Sequence, residues 1–171
     1  KLIHIYHSNG TDLEFNIEGR RVRVEAGTLE ECYSTGAGCG VDVPAGEVYV
    51  APIENSANGL LVVDENEEYC VKGLQLQFKN GKVTGLKAER GGDTFKRFLE
   101  QAQGGKDRIA EFGVGTNHNM KPVGWSIYDE KALGTAHVAI GNNVHLGGVN
   151  KASIHLDFVL NKPTIKADEE L

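Results

Sequence analysis

The stretch DEKALGTAHVAIGNNVHLGGVNKASIHLD, residues 129–157, decides the fold and holds most of the chemistry of this chain. It contains three of the six histidines and three carboxylates in fewer than thirty residues. If its last segment is a strand, the side chains of His155 and Asp157 leave the same face, with Cβ atoms roughly 6–7 Å apart. This spacing suits two ligands of one metal ion, so the two residues are candidate metal ligands.

Outward from this stretch, the sequence predicts short strands joined by tight turns. Residues 71–88 form a predicted hairpin, because apolar and polar residues alternate on both sides of Asn80-Gly81, a favoured two-residue turn. Residues 93–103 predict one clear helix, since apolar residues recur there at a spacing of three and four. Residues 29–40 are expected to form a glycine-containing loop. The predicted fold class is α+β, mostly β, with a twisted sheet or barrel-like arrangement that carries the ligands on strand ends and adjoining loops.

The composition fits an ordinary globular domain. Of the 171 residues 40% are hydrophobic and 25% are charged, so we expect a single domain over residues 1–171. The formal charge is −6 and basic residues are not clustered, which argues against nucleic acid as a partner. No run of eighteen apolar residues is present, so we expect no membrane partner and a cytoplasmic location. Because the chain begins without methionine, we expect it to be a fragment of a longer protein.

Four segments place an acid or an imidazole among apolar or glycine residues, at Glu47, Glu111, His137 and the pair His155 and Asp157. Each has an ordinary structural explanation, since a lone glutamate at a strand end is usually solvated and a lone histidine usually belongs to the core. Together, three carboxylates and two imidazoles are the ligand chemistry of two divalent ions that share a bridging carboxylate. The spacing has no compact signature such as HExxH, so the residues alone leave both interpretations open.

Four motifs, in order along the chain, resemble those of the aminopeptidase T and aminopeptidase S family of dinuclear metallopeptidases. They are VPAGEVYVAP (residues 43–52), AEFGVGTN (110–117), DEKALGTAHVAIG (129–141) and NKASIHLD (150–157), and GTDLEFNIEGR (10–20) is similar to the start of that family's metal-binding domain. The resemblance covers nearly the whole chain. It implies that the chain is the C-terminal half of a protein about twice as long, without the family's N-terminal α/β domain.

The resemblance implies a role for each candidate ligand. Glu47 corresponds to the first metal carboxylate, and Glu111 corresponds to the second, which would bridge the two ions. His137 matches the imidazole of a CHIALG-like motif. His155 and Asp157 match the family's HxD pair.

The sequence departs from the family pattern in three places. Where the family has a tyrosine ligand, seven residues after the first histidine, this chain has Val144, followed by His145. Either His145 replaces the tyrosine as a ligand, or the second ion is held more weakly, or the chemistry has changed. Ala136 stands where cysteine is common. The family sequence DEN is DEK here, so Glu130 is the candidate general base or proton shuttle, while Lys131 is new.

The resemblance implies an aminopeptidase that hydrolyses leucine-like N-terminal residues from peptides. Two divalent ions, Zn²⁺, Co²⁺ or Mn²⁺, would lower the pKa of a bridging water and polarise the scissile carbonyl. His118 is a secondary candidate for proton transfer. A homodimer is expected, because glycine-rich sheets with open edges are often completed by pairing.

Two alternatives stay open. His137, His155 and Asp157 alone are the two histidines and one carboxylate of a mononuclear non-haem Fe(II) oxygenase. Some relatives of this family are similar to dioxygenases that cleave hydroxypyridine rings, which makes a single Fe(II) the alternative cofactor. The other alternative is a catalytically inactive domain that has kept the fold.

Overall fold

The computed structural model describes residues 1–28 and 43–168, and the loop predicted between Leu29 and Gly40 lies outside these residues. The described chain forms eleven strands, two α-helices and one 3-10 helix. The strands are β1 (Leu2–Tyr6), β2 (Asp12–Asn16), β3 (Arg23–Glu25), β4 (Glu47–Val50), β5 (Asn58–Asn66), β6 (Val71–Lys79), β7 (Lys82–Lys87), β8 (Ile109–Gly115), β9 (Thr135–Gly141), β10 (His155–Asn161) and β11 (Thr164–Ala167). The helices are α1 (Gly92–Gln101), α2 (Ser126–Asp129) and the 3-10 helix Val144–Leu146.

The strands form two antiparallel sheets. The six-stranded sheet has the order β11-β1-β2-β5-β6-β7, and the five-stranded sheet has the order β10-β9-β8-β4-β3. The prediction of a mostly β, α+β fold is confirmed. The sequence left a twisted sheet and a barrel-like arrangement as alternatives. The described residues form two open sheets, neither of which closes into a barrel.

The predicted hairpin and helix are both present. Strands β6 and β7 pair in antiparallel register around Asn80 and Gly81, which have φ of 50° and 78°, as a two-residue turn of this kind requires. Helix α1 begins after Gly91 and ends at Gln101, so it is displaced slightly from the predicted 93–103. Residues 1–28 and 43–168 contain no helix long and apolar enough to cross a membrane.

The hydrophobic core lies where the two sheets and α1 meet. Phe15 of β2 packs against Phe112 of β8 with ring centroids 5.2 Å apart, which joins one sheet to the other. Phe95 of α1 contacts Phe158 of β10 with centroids 6.0 Å apart. Since one residue in two along a strand faces the core, the alternate residues of β8, β9 and β10 point to the opposite face of the five-stranded sheet.

Candidate metal centre

The predicted ligands lie on four neighbouring strands of the five-stranded sheet, on the face that points away from the core. Glu47 begins β4, Glu111 lies in β8 and His137 lies in β9, while His155 and Asp157 lie in β10. Neighbouring residues on each strand, such as Phe112, Val138 and Leu156, belong to the core instead. The alternation that builds the core therefore also gathers the ligands.

Small residues separate the ligands on this face and give the longer side chains room to converge. Glu47 pairs with Gly115, His137 pairs with Gly113, and His155 pairs with Gly141 across the strands. Ala139 lies between Glu111 and Asp157. The sequence contained this signal in the glycines and alanines that surround each candidate ligand.

Gly113 shows how closely the backbone approaches an imidazole. A Cβ atom at this position would lie 2.2 Å from Cε1 and 2.5 Å from Nε2 of His137, so no side chain fits beside the ring. His137 is 1% exposed. The glycine therefore sets the position in which the imidazole meets the carboxylates.

The ligand atoms form a continuous series. His137 Nε2 lies 3.6 Å from Glu47 Oε2 and 3.4 Å from Glu111 Oε1. His155 Nε2 lies 3.1 Å from Glu111 Oε2 and 3.4 Å from Asp157 Oδ1. Two ligands of one tetrahedral zinc ion, with bonds of about 2.0–2.1 Å, lie roughly 3.3 Å from each other. The observed spacings match that value.

Within residues 1–28 and 43–168, three sets of three ligand atoms lie close enough to hold an ion, with all atoms of a set within 4.8 Å of one another. Two of these sets share Glu111, whose two oxygens face different imidazoles. The sets are Glu111, His145 and His155; Glu111, His137 and Asp157; and Glu47, Glu130 and His137.

Three buried polar atoms of this site have no hydrogen-bond partner among the described residues: Glu47 Oε2, His137 Nδ1 and Asp157 Oδ1. Buried polar atoms are normally paired, so three such atoms in one place call for a ligand. Carboxylate oxygens and a neutral imidazole nitrogen are donors for a divalent cation. The chemistry of the site therefore fits a metal ion.

Lys131 lies beside this series and is 1% exposed. Its Nζ lies 2.5 Å from Glu47 Oε1, 2.8 Å from Glu25 Oε2 and 3.0 Å from Glu130 Oε1. From the sequence, Lys131 is recognisable only as a departure from the family pattern, and Glu25 was not predicted. Because Glu25 is opposite Glu47 in the pairing of β3 with β4, the register would have been needed to find it.

Burial and the charges of neighbouring side chains shift the pKa values of these groups in opposite directions. Burial raises the pKa of Glu47 to about 8, against the opposing charges of His137 and Lys131. Burial also acts to raise the pKa of Glu111, but hydrogen bonds with His137 and His155 outweigh it and lower that pKa to about 2. The pKa of His137 would fall through burial, yet Glu111 raises it to about 9. A metal ion bound here must therefore displace protons from the imidazoles.

The other candidates differ in their distance from the ligand series. Glu130 is buried directly after α2 and lines the same cavity, and burial followed by the charge of Asp157 raises its pKa. His145 is exposed, but its ring lies 5.3 Å from that of His155, so it is at the edge of the site. His118 is exposed and belongs to none of the three ligand sets.

A cavity of about 410 Å³ opens above the ligands. Tyr49, Tyr69 and Ile127 supply part of its wall. Acidic side chains dominate the polar part of the lining, which includes Glu25, Glu47, Glu68, Glu111, Glu130 and Asp157. The cavity is therefore suited to a ligand that carries positive charge.

The sequence of the chain matches a known family. Residues 1–170 match the model of a family described as "Thermophilic metalloprotease (M29)". The chain belongs to this metalloprotease family. The resemblance to aminopeptidases S and T is thereby confirmed.

Three curated relatives are similar to parts of the chain. Aminopeptidase AmpS of Bacillus subtilis is 24% identical over 95% of this chain and 44% of its own length. Aminopeptidase 2 of Geobacillus stearothermophilus is 27% identical over 74% of this chain and 36% of its own. The 2,5-dihydroxypyridine 5,6-dioxygenase of Pseudomonas putida is 26% identical over 74% of this chain and 41% of its own. The chain thus spans less than half the length of the curated relatives it matches.

Two solved structures share the fold. Wild-type AmpT from Thermus thermophilus superposes with a TM-score of 0.68, at 22% identity, over 92% of this chain and 42% of that one. The 2,5-dihydroxypyridine dioxygenase from Pseudomonas putida gives a TM-score of 0.79, at 22% identity, over 98% of this chain and 52% of that one. One fold therefore occurs in both kinds of protein.

Proposed function

We propose that this protein is a metal-dependent aminopeptidase that hydrolyses leucine-like N-terminal residues from peptides. The observation that carries the proposal is the continuous series of ligand atoms, from Glu47 to Asp157, at the floor of an acidic cavity. The free α-amino group of a peptide is positively charged, so a cavity lined by carboxylates favours this end of a substrate. Membership of the metalloprotease family and two aminopeptidases among the curated relatives support the same reaction.

The residues of the chain have separable roles in this proposal. In the two-ion form of the proposal, Glu47, Glu111, His137, His155 and Asp157 hold metal, with His145 at the edge of the set. Bound Zn²⁺, Co²⁺ or Mn²⁺ supplies Lewis acidity and an activated water. Glu130 accepts and returns the proton, because it lines the cavity and Lys131 holds its Oε1 at 3.0 Å.

The number of ions is the finer part of the proposal. The family resemblance implies two ions that share Glu111, and this residue is suited to such a role because its oxygens face His137 on one side and His155 on the other. The family pattern lacks Lys131. Its ammonium pairs with Glu47 and Glu130, which form one side of the site.

Hydrolysis of leucine p-nitroanilide, with metal removed by a chelator and then restored, tests the reaction. We expect Zn²⁺, Co²⁺ or Mn²⁺ to restore activity that the chelator abolishes. Glu111→Gln should lower metal affinity and activity by roughly 100-fold or more, since even supporting residues of metal sites contribute 10–100-fold. Glu65→Gln, which changes a half-exposed partner of Arg90, is the matched control and should leave both unchanged. Metal content and hydrolysis that survive Glu111→Gln would contradict the proposal.

The relatives and the fold also favour a second candidate function. A dioxygenase is among the curated relatives and the structures that share the fold, and His137, His155 and Asp157 supply two imidazoles and one carboxylate. Metal analysis of protein purified with and without air, together with oxygen uptake in the presence of 2,5-dihydroxypyridine, separates the two. One tightly bound iron per chain, with ring cleavage and no leucyl hydrolysis, would replace the peptidase proposal.

We also propose that the protein acts in the cytoplasm as a homodimer. Among the strands of the described residues, β3 and β7 lie at the ends of their sheets, and sheet edges of this kind favour pairing with a second copy. Sedimentation equilibrium measures the assembly directly, and a monomer over the whole concentration range would contradict the dimer.

A further inference from the structure

The ammonium of Lys131 occupies a place that resembles a cation site. Among the described residues, the carboxylates of Glu47, Glu25 and Glu130 lie around it, with oxygens at 2.5, 2.8 and 3.0 Å from Nζ. The side chain is 1% exposed, so solvent does not compete for these contacts. A buried cation held by several carboxylates uses the same donor atoms that a hard divalent ion would use.

The backbone around Lys131 holds the side chain in this position. Asn117 N donates to the carbonyl of Lys131 at 2.9 Å, and Leu133 N donates to the carbonyl of Asn117 at 2.9 Å. Gly115 makes the close approach possible, because a Cβ atom there would lie 2.0 Å from the carbonyl oxygen of Ala132. The fold therefore fixes the backbone that carries Lys131, and the buried side chain reaches the carboxylates from this fixed point.

Lys131 and the remaining ligands divide the site into two parts. Lys131 engages Glu47 Oε1 and Glu130 Oε1, two of the three members of one candidate ligand set. On the other side of the site, Glu111 and Asp157 pair with His155, with distances of 3.1 and 3.4 Å from His155 Nε2. A divalent ion on the Glu47 side would share its carboxylates with a positive charge, whereas an ion on the other side would not.

We infer that the Lys131 ammonium takes the place of one of the family's two ions, so that the centre binds a single divalent ion on the side of Glu111, His155 and Asp157. His137 and His145 are near enough to complete the coordination. The ammonium supplies a fixed positive charge to Glu47 and Glu130 that the second ion would otherwise supply. This inference rests on the proposed metal centre, but it does not depend on which reaction the centre performs.

Metal stoichiometry tests the inference without reference to activity. Metal is removed from the protein, which is then loaded with Zn²⁺ or Co²⁺ and separated from unbound ion. The number of ions bound per chain is measured by elemental mass spectrometry and by isothermal titration calorimetry. We expect one ion per chain. Lys131→Asn, which restores the family residue, and Lys131→Met should each bind a second ion, while the exposed Lys87→Asn control should still bind one.

The outcomes separate the inference from the proposed function. Two ions per chain in the unchanged protein, or one ion in folded Lys131→Asn and Lys131→Met, would overturn the role of Lys131 and leave the aminopeptidase proposal standing. No bound ion would overturn both. One ion in the unchanged protein, without hydrolysis of leucyl substrates, would support the inference and remove the proposed reaction. Two ions in the unchanged protein would overturn the inference even if the Lys131 variants failed to fold by circular dichroism.

Discussion

At the scale of single residues, the metal centre requires a glycine at position 113. Gly113 lies directly across from His137, and the space that a Cβ would need is filled by the imidazole. Gly113→Ala should push the ring away from Glu111, weaken metal binding at least tenfold, and destabilise the fold by about 1–3 kcal/mol through overpacking. Urea unfolding and metal titration measure the two effects.

Gly85→Ala is the matched control for that substitution. Gly85 also lies in a strand, but a Cβ there would meet only Gln77 Cβ at 3.4 Å, so alanine should cost little. Equal losses of metal affinity in both variants would show that Gly113 has no special role.

Glu54 makes a residue-scale prediction away from the metal. Its Oε1 accepts hydrogen bonds from Asn143 Nδ2 at 3.0 Å and Val149 N at 2.8 Å, and Arg20 pairs with its Oε2. Burial acts to raise the pKa of Glu54, but these partners outweigh it and lower the pKa below the ordinary value of 4.5. The stabilisation should therefore be complete above pH 4.5 and be lost as pH falls through the lowered pKa.

Replacement of Glu54 tests that linkage. Glu54→Gln leaves Arg20 without its carboxylate and should cost about 1–3 kcal/mol at pH 7, as for other hydrogen bonds to charged groups. The variant should also lose part of the acid dependence of stability, measured by urea unfolding between pH 7 and pH 3. Glu100→Gln, at an exposed position of α1, is the control, and the same loss in both variants would contradict the assignment.

At the scale of the elements, α1 stabilises the core through one face only. Phe95 is 2% exposed and packs against Phe158, whereas Phe98 is 44% exposed. Phe95→Ala should therefore lower the free energy of unfolding by about 3–5 kcal/mol, the usual cost of a large core cavity. Phe98→Ala should cost much less, and chemical unfolding of both variants compares them. Similar costs would mean that α1 packs differently.

Local patterns predicted the elements better than their arrangement. The hairpin around Asn80 and Gly81 and the helix near residues 93–103 followed from turn chemistry and apolar spacing. The order of the strands did not follow, because β4 pairs with β8 more than fifty residues later and β1 pairs with β11 near the other end of the chain. Pairing at such distances is decided by packing, which a single sequence does not display.

The same limit applied to the metal centre. Residue chemistry and family resemblance identified the candidates from Glu47 to Asp157, and the fold brings them together on one face. The contact of Lys131 with Glu25 was not predicted, because the two residues come from distant segments and Glu25 has no distinguishing pattern. The glycine and alanine residues between the ligands were visible but became meaningful only with the register.

At the scale of the whole molecule, a bound ion should stabilise the native state. An ion at one hundred times its dissociation constant adds about 2.7 kcal/mol if it binds only the folded protein. For a chain of this size that corresponds to a rise of roughly 5–10 °C in Tm. Thermal unfolding with added Zn²⁺ and then excess chelator measures the effect and its reversal, and Glu111→Gln should abolish it. A Tm independent of metal would contradict binding at this centre.

The placement of ligands on four adjacent strands also determines when a metal can be captured. Glu47 and Asp157 are far apart in the chain, and in an unfolded chain only His155 and Asp157 stay close enough to act together. Bringing ends of such a long loop together costs about 4 kcal/mol of chain entropy. In the folded protein this chain entropy has already been lost in forming the sheet, before an ion binds. Only the folded sheet therefore binds an ion tightly. During synthesis, the unfolded chain binds an ion weakly, through little more than the one pair His155 and Asp157.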